Sequence, residues 1–193
     1  MRIFCWILIG LCLFSTPLLA ADVERLLRLS RQADIHAQSR LGQLYFDGHE
    51  VKQDYQAAMH WWRLAADRGD AHAQNGVGTL YDNGKGVPRD YREAAKWFLL
   101  AANQGHVMAR RNLGWMYEKG QGFKKDLVHS YMWQYLAELG RRKGHGTNPS
   151  GMIPCRLCEL LAKRMTPEQV RQAREMAQRW QPSENDRENS LHD

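Results

Sequence analysis

Apolar residues in this chain recur at helical rather than strand spacing. Residues 37–46 carry apolar side chains three or four positions apart, which would share one helix face. They are Ala37, Leu41, Leu44 and Tyr45. A polar stretch that starts at Asp47 interrupts this stripe, and a second apolar stripe follows Asp54. The pattern predicts two helices joined by a short polar loop.

The same two-helix pattern returns twice, each time 36 residues further along the chain. Eight columns of identical residues survive this shift without a gap. They are Ala37, Ala73 and Ala109; Gly42, Gly78 and Gly114; Tyr45, Tyr81 and Tyr117; Gly48, Gly84 and Gly120; Asp54, Asp90 and Asp126; Trp61, Trp97 and Trp133; Leu64, Leu100 and Leu136; and Ala65, Ala101 and Ala137. Self-similarity at this period predicts stacked helical hairpins that bury a continuous core.

Several columns have a predicted structural role. The aspartate column that begins at Asp54 stands where N-cap side chains would accept the free backbone amides of the second helix. The glycine column that begins at Gly42 costs about 1 kcal/mol of helix propensity at each position. We therefore expect a neighbouring helix to cross close to the backbone there. Gly69 and Gly105 suit the left-handed conformation that ends a helix, and the tryptophan column is predicted to pack in the core.

The first copy carries Leu41-Gly42-x-x-Tyr45-x-x-Gly48, and then Asp54, Ala58, Trp61, Ala65-Ala66 and Gly69. These residues resemble the Sel-one-like repeat (SLR), a close relative of the tetratricopeptide repeat. Copies two and three match likewise, with Val77, Ser130 and Glu138 as departures, and copy one has Glu50 where Gly86 and Gly122 stand. The resemblance covers about residues 33–140. It implies an all-α fold, a short right-handed α-solenoid of three helix–turn–helix SLR units with capping helices at both ends.

The divisions of the chain follow from these patterns. Thr166-Pro167-Glu168-Gln169 has the residues of a capped helix start, with Thr166 as the N-cap and Gln169 completing a capping box. We expect a signal peptide at 1–20, an N-terminal capping helix at 21–36, repeats at 37–72, 73–108 and 109–140, a loop at 141–154, a C-terminal helical cap at 155–180 and a disordered tail at 181–193.

The first residues have the order of a secretory signal: a positive start, an apolar run from Ile3 to Phe14, and small residues up to Ala21. A transmembrane anchor would need about 20 apolar residues, and Pro17 interrupts the end of this shorter run. We expect cleavage after Ala20 or Ala21, no transmembrane span in the mature chain, and a periplasmic or secreted protein.

The chain carries 27 basic and 21 acidic residues, a formal charge of +6. Without the signal, the surplus lies in residues 109–143, where eight basic residues face three acidic ones. The predicted basic patch comprises Arg110, Lys124, Lys125, Arg141, Arg142 and Lys143, beside Arg111 and Lys119. An acidic protein and an anionic envelope surface both fit this distribution, as does a solvated face without a partner. Export argues against nucleic acid as a partner.

Cys155-Arg156-Leu157-Cys158 is the conspicuous chemical motif. Thiol redox catalysis, zinc binding and a local disulfide are the alternatives. A structural role is favoured, either a local disulfide or two half-buried thiols in the cap, because no βαβ pattern surrounds the motif, no second ligand pair accompanies it and Glu159 stands where haem attachment needs His. The sequence predicts no catalytic residue, no metal and no cofactor.

In the tetratricopeptide relatives, the inner face of the first helix of each repeat binds peptides. Carried over by position, the resemblance implies a partner-binding face built from Ser39, Gln43, Asn75, Thr79, Arg111, Trp115 and Lys119, flanked by His36, Asp47, His72, Asn83 and Met108. Trp115 stands out because Gln43 and Thr79 occupy its column. It is predicted either to anchor a partner or to pack against the C-terminal cap.

These observations favour an exported, non-enzymatic adaptor or scaffold that binds a protein or peptide partner in the cell envelope or outside the cell. Two alternatives stay open. One is β-lactamase or penicillin-binding activity of the kind described for cysteine-rich relatives, although the repeats here contain no cysteine. The other is a periplasmic regulator or a secreted host-interaction factor.

Overall fold

The structure, a computed structural model, describes residues 16–141 and 155–180, with side chains from residue 22 onward. All regular elements in these ranges are helices. They are α1 (Thr16–Arg31), α2 (Ile35–Asp47), α3 (Tyr55–Ala66), α4 (Ala71–Asn83), α5 (Tyr91–Asn103), α6 (Val107–Lys119), α7 (Leu127–Arg141), α8 (Arg156–Ala162) and α9 (Pro167–Arg179). The prediction of an all-α fold is confirmed.

The helices from α2 to α7 form three consecutive hairpins, α2–α3, α4–α5 and α6–α7, one for each repeat. Each hairpin packs on the next through α3 against α4 and α5 against α6. The capping helix α1 packs on α2 at one end, and α8 and α9 pack on α7 at the other. This order is the three-repeat α-solenoid that the sequence predicts.

The loops of the three hairpins are closed by the same contacts. Asp54, Asp90 and Asp126 each accept two backbone amides of the helix that follows, which confirms their predicted N-cap role. The backbone amide of each of these aspartates also donates to a tyrosine carbonyl of the preceding helix, at Tyr45, Tyr81 or Tyr117, over 2.9–3.0 Å. The tyrosine and aspartate columns therefore mark the two sides of one recurring loop.

The predicted close crossing at the glycine column is present in each hairpin. A Cβ atom on Gly42 would collide with the ring of Trp62, and one on Gly78 would lie 2.7 Å from the ring of Phe98. In the third repeat, a Cβ on Gly114 would lie 2.7 Å from Nε2 of Gln134. Each glycine thus makes room for the residue at one column of the partner helix.

The buried side chains at the crossing come from one column, Trp62, Phe98 and Gln134. The column of identical tryptophans is buried unevenly. Trp97 and Trp133 are buried, as predicted, but Trp61 is half-buried. Trp97 lies under the guanidinium of Arg63, and Trp133 packs edge-on against Trp180. In the leucine column, Leu136 is buried under the C-terminal cap while Leu64 is exposed. Burial of both columns therefore increases towards the C-terminal end of the array.

The C-terminal cap has the helix start that its sequence predicts. Thr166 Oγ1 accepts the amide of Gln169, and the Gln169 side chain accepts the amide of Thr166, so the capping box is complete. The predicted 181–193 tail, most of the 141–154 loop, and the signal segment up to residue 15 lie outside the described residues. None of the described helices is long and apolar enough to cross a bilayer.

Candidate partner-binding surface

One face of α6 carries two large apolar side chains that point away from the core. Met108 and Trp115 are separated by seven residues, two helical turns, so they lie on the same side of the helix. Met108 is 51% exposed and Trp115 52% exposed. Trp115 therefore does not pack against the C-terminal cap, which was one of the two predicted positions.

Two basic side chains accompany this apolar pair. Arg111 lies between Met108 and Trp115 on the same face and is half-buried. The ammonium of Lys119 lies 4.8 Å from the centre of the Trp115 ring, within the range of a cation–π contact. We call Met108, Arg111, Trp115 and Lys119 the α6 surface.

The equivalent positions on α2 and α4 are polar and bonded to one another. Gln43 donates to Asp47 over 2.7 Å, and its side-chain oxygen lies 3.0 Å from Nε2 of His72. Asn75 accepts a hydrogen bond from Asn112 of α6 over 3.2 Å, which links the second repeat to the third. Thr79 donates to the carbonyl of Asn75 within its own helix. Most of the predicted polar positions are thus hydrogen-bonded along and between the helices. We call Gln43, Asp47, His72, Asn75 and Thr79 the polar ladder.

Ser39 does not belong to that surface. It is 6% exposed, and its hydroxyl donates to Oδ1 of Asp70 over 2.8 Å. The same oxygen of Asp70 accepts the amide of Ala73 and caps α4. The prediction of Ser39 as a partner-binding residue is therefore wrong, because its side chain braces the helix cap of the next repeat.

The predicted basic patch is not one cluster. Lys124 and Lys125 are exposed in the loop before α7, while Arg141 forms an ion pair with Glu138 over 2.6 Å at the end of that helix. Arg142 and Lys143 lie outside the described residues. Arg110 is only 9% exposed, so its placement in a surface patch is wrong.

Arg110 instead joins three parts of the C-terminal end. Its Nε donates to the carbonyl of Ala102 and its Nη1 to the carbonyl of Leu136, both over 3.0 Å. Its guanidinium carbon lies 5.0 Å from the centre of the Trp180 ring. Burial lowers the pKa of Arg110 below its ordinary value, but two carbonyls and an aromatic ring still accommodate the buried cation.

The repeat register contains a signal for this role. Gln38 and Gln74 occupy the Arg110 column, and their side chains donate to the carbonyls of Ser30 and Ala66, again eight residues back. All three side chains therefore satisfy a carbonyl at the end of the preceding helix. The substitution of Arg for Gln hides this shared function from a search for identical residues.

A second column that sequence reasoning missed caps the first helix of each repeat. Asp34, Asp70 and His106 accept the amide three residues ahead. Nδ1 of His106 acts as the acceptor, so its ring is neutral in this arrangement. Burial and the nearby His72 lower the pKa of His106, while Asp70 acts in the opposite direction.

The two cysteines of the cap form a disulfide at the start of α8. Both are buried, beside Tyr131, Leu161 and Ala173. Within the described residues, no group of three or more His, Cys, Asp or Glu side chains is placed to hold a metal ion. The disulfide therefore closes a local loop within the cap, and Cys155 also lines a cavity of about 210 Å³ beside Arg111 and Glu138.

The match to the Sel1 repeat family covers residues 35–70, 71–106 and 107–140. One similar solved structure is c5321, a protective antigen present in uropathogenic Escherichia coli strains with an SLR fold. It shares 27% identity and a TM-score of 0.70 over 89% of this chain and 36% of that one. Another is a Sel1 repeat protein from Oxalobacter formigenes, with 32% identity and a TM-score of 0.53 over 56% of this chain and 43% of that one.

This chain thus spans less than half the length of either solved protein. Among curated proteins there is no match. Sel1 repeat proteins generally mediate protein–protein interactions, and their fold is typically that of a non-enzymatic scaffold. Because the family match covers more than half of its residues, this chain belongs to the Sel1 repeat family.

Proposed function

We propose that this protein is an exported adaptor that binds a protein or peptide partner through the α6 surface. The polar ladder on α2 and α4 extends the contact. The observation that carries the proposal is the exposure of Met108 and Trp115 on one helix face, where the first two repeats have polar residues or His at the same positions.

The chemistry of the α6 surface suits an anchor for a partner side chain. An exposed tryptophan loses little conformational freedom when a partner covers it. An exposed methionine has a flexible side chain that adapts to the shape of the partner. Arg111 and Lys119 lie beside the apolar pair and would interact favourably with a partner that is acidic at its edges. Binding energy concentrated in an aromatic anchor with charged neighbours is typical of interface hot spots.

The ladder on α2 and α4 would play a different part. Gln43, His72 and Asn75 already have hydrogen-bond partners in the free protein. Such side chains are held in place before a partner arrives and offer their remaining donors and acceptors to an extended backbone. They would fix the position of the partner's backbone along the helices, while Trp115 would supply most of the affinity.

Export is the second part of the proposal. It is supported by the signal-like pattern before Ala21 and by the disulfide between Cys155 and Cys158, a bond that persists in oxidising compartments. Expression of the full chain in a Gram-negative host, followed by N-terminal sequencing of the periplasmic fraction, tests this part. A new terminus at Ala21 or Asp22 is expected, and an uncleaved chain in the cytoplasm would contradict export.

The binding part is tested with peptides selected from a random-sequence display library on the wild-type protein. We expect the Trp115→Ala variant to bind the selected peptides at least about tenfold more weakly, with an unchanged far-UV circular dichroism spectrum. Trp61→Ala is the matched control, because Trp61 lies on α3, away from the α6 surface. Equal losses in both variants would contradict a contact centred on α6.

A further inference from the structure

A second candidate surface lies on the loop side of the array, between repeats two and three. It is an open cleft of about 580 Å³ between the start of α5 and the loop that joins α6 to α7. We call it the loop cleft. Its lining residues are Arg89, Asp90, Tyr91, Arg92, Gly120, Gly122, Phe123 and Lys124. It shares no residue with the α6 surface.

The repeat provides an internal reference for this cleft. A cleft of about 760 Å³ lies one repeat earlier and is lined by Tyr45, Val51, Lys52, Gln53, Asp54, Tyr55, Gln56 and Gly86. Gln53 and Gln56 stand where Arg89 and Arg92 stand 36 residues later. The earlier cleft contains one cation and one carboxylate, whereas the loop cleft contains three cations and one carboxylate. The same backbone site has therefore become positive.

The single carboxylate of the loop cleft is already engaged. Asp90 Oδ1 accepts the backbone amides of Arg92 and Glu93 over 2.9 and 3.1 Å as the N-cap of α5. Glu93, the next acidic residue, forms an ion pair with Lys96. Among the described residues, neither Asp90 nor Glu93 forms an ion pair with the guanidinium of Arg92.

The cations themselves are loosely held. Arg89 makes two long contacts, 3.4 Å to the hydroxyl of Tyr91 and 3.5 Å to the carbonyl of Asn83. It also acts electrostatically on Asp82, a half-buried carboxyl whose pKa is raised by burial and lowered by Arg89. Arg92 and Lys124 are exposed, and within the described residues neither forms an ion pair.

The shape of the cleft favours a chain segment over a flat charged surface. Gly122 has a φ of +71°, and a Cβ there would press on the carbonyl of Tyr91, so the two loops approach closely. Tyr91 and Phe123 are half-buried in the lining instead of protruding from it. None of the large exposed apolar side chains of the described residues lines the cleft, so it offers nothing to insert into a bilayer.

We propose that the loop cleft binds an acidic polypeptide segment, whose carboxylates pair with Arg89, Arg92 and Lys124. This contact is separate from the one assigned to the α6 surface, and either can exist without the other. A guanidinium binds a carboxylate through two parallel hydrogen bonds. Arg89 in the loop before α5 and Arg92 in its first turn can therefore hold successive acidic side chains of an extended segment.

Fluorescein-labelled hexaglutamate is the probe, with labelled hexaglutamine as the neutral control, and binding to the full chain is measured by fluorescence anisotropy. We expect hexaglutamate to bind and the double variant Arg89→Gln/Arg92→Gln to lose roughly tenfold in affinity, since two exposed ion pairs are removed. Arg171→Gln/Arg179→Gln removes the same charge from α9 and should bind as the wild type does. Equal losses in the two double variants would overturn the proposal, because net charge alone would then explain binding.

The reverse substitution tests the same site by gain of function. Gln53→Arg/Gln56→Arg gives the earlier cleft the arginines of the loop cleft, so we expect a second binding site for hexaglutamate. Vesicles of phosphatidylglycerol test the membrane alternative. Vesicle binding that depends on Arg89 and Arg92, without hexaglutamate binding, would overturn the proposal in favour of a lipid surface.

Discussion

The second and third repeats share one backbone plan and use it differently. In repeat two, Asp70 caps the first helix, Gln74 satisfies the carbonyl of Ala66, and Phe98 fills the crossing at the glycine column. In repeat three these positions hold His106, Arg110 and Gln134. The later repeat packs against a helical cap rather than another repeat. Its interior holds more buried polar side chains, and its α6 face carries two exposed apolar side chains.

Some features of a repeat are fixed by its own hairpin, and others depend on the neighbours against which it packs. The aspartate caps and loop bonds recur because they lie inside each hairpin. The Arg110 column differs because the third repeat has a new neighbour, Trp180, over which a guanidinium can lie. Stability and binding can therefore be separated by substituting buried and exposed positions of the array.

The largest expected effect separates a buried tryptophan from an exposed one. Trp62 is 2% exposed and fills the space between Gly42 and Gly76, so Trp62→Ala should cost about 3–5 kcal/mol in the free energy of unfolding. Trp115→Ala should change it by less than about 0.5 kcal/mol. Urea unfolding followed by circular dichroism measures both. Similar costs at the two positions would mean that the α6 face is part of the core.

Arg110 gives the next effect. Arg110→Ala leaves the carbonyls of Ala102 and Leu136 without their donor and removes the contact with Trp180, so a loss of about 2–3 kcal/mol is expected. Arg110→Gln, which copies repeat two, should recover part of it through the carbonyl of Ala102. The same urea titrations decide. If Arg110→Ala left the free energy of unfolding unchanged, Arg110 would belong to the solvated surface instead.

The glycine column should respond differently in repeats one and three. Gly42→Ala meets the rigid ring of Trp62 and should cost about 1–2 kcal/mol by overpacking. Gly114→Ala meets the more flexible side chain of Gln134, although moving it weakens the hydrogen bond from its Nε2 to the carbonyl of Arg111. We therefore expect a smaller cost than at Gly42, partly offset by the higher helix propensity of alanine. Thermal unfolding of the two variants compares them. A larger loss at Gly114 would contradict a flexible third crossing.

The smallest effect depends on pH. The pKa of His106 is lowered in the folded protein by burial and by His72, so the unfolded chain binds the proton more readily. The contribution of this group to stability is therefore present above its unfolded pKa of about 6.5 and is lost as the pH falls below that value. His106→Asn keeps an N-cap acceptor without titrating, and should flatten the stability profile between about pH 7.5 and 5. An identical profile in the variant would contradict this role.

The fold could be predicted because the contacts that define it use the same residue in every copy. Identical columns marked the hairpins, the aspartate caps and the close crossings. The columns that were missed keep a function while changing the residue: Gln74 and Arg110 both satisfy a carbonyl, and Asp70 and His106 both cap a helix. An identity search does not find shared hydrogen bonds between unlike side chains.

The candidate surface could be predicted only as a set of positions. The resemblance placed Trp115 and Ser39 on the same face, but burial separates them, because Asp70 from the next repeat reaches Ser39. Charge counting likewise placed Arg110 with Lys124, although one is buried and the other exposed. Local sequence does not record which neighbour covers a side chain.

The central claim, that the α6 surface contacts a partner, is tested most directly by crosslinking in the native cell envelope. A photoreactive benzoylphenylalanine placed at Trp115 keeps an aromatic ring there, and the same residue at exposed His60 on α3 is the matched control. The account predicts an adduct of one defined mass from position 115 and none from position 60. Adducts of the same mass from both positions, or an adduct from position 60 alone, would contradict it.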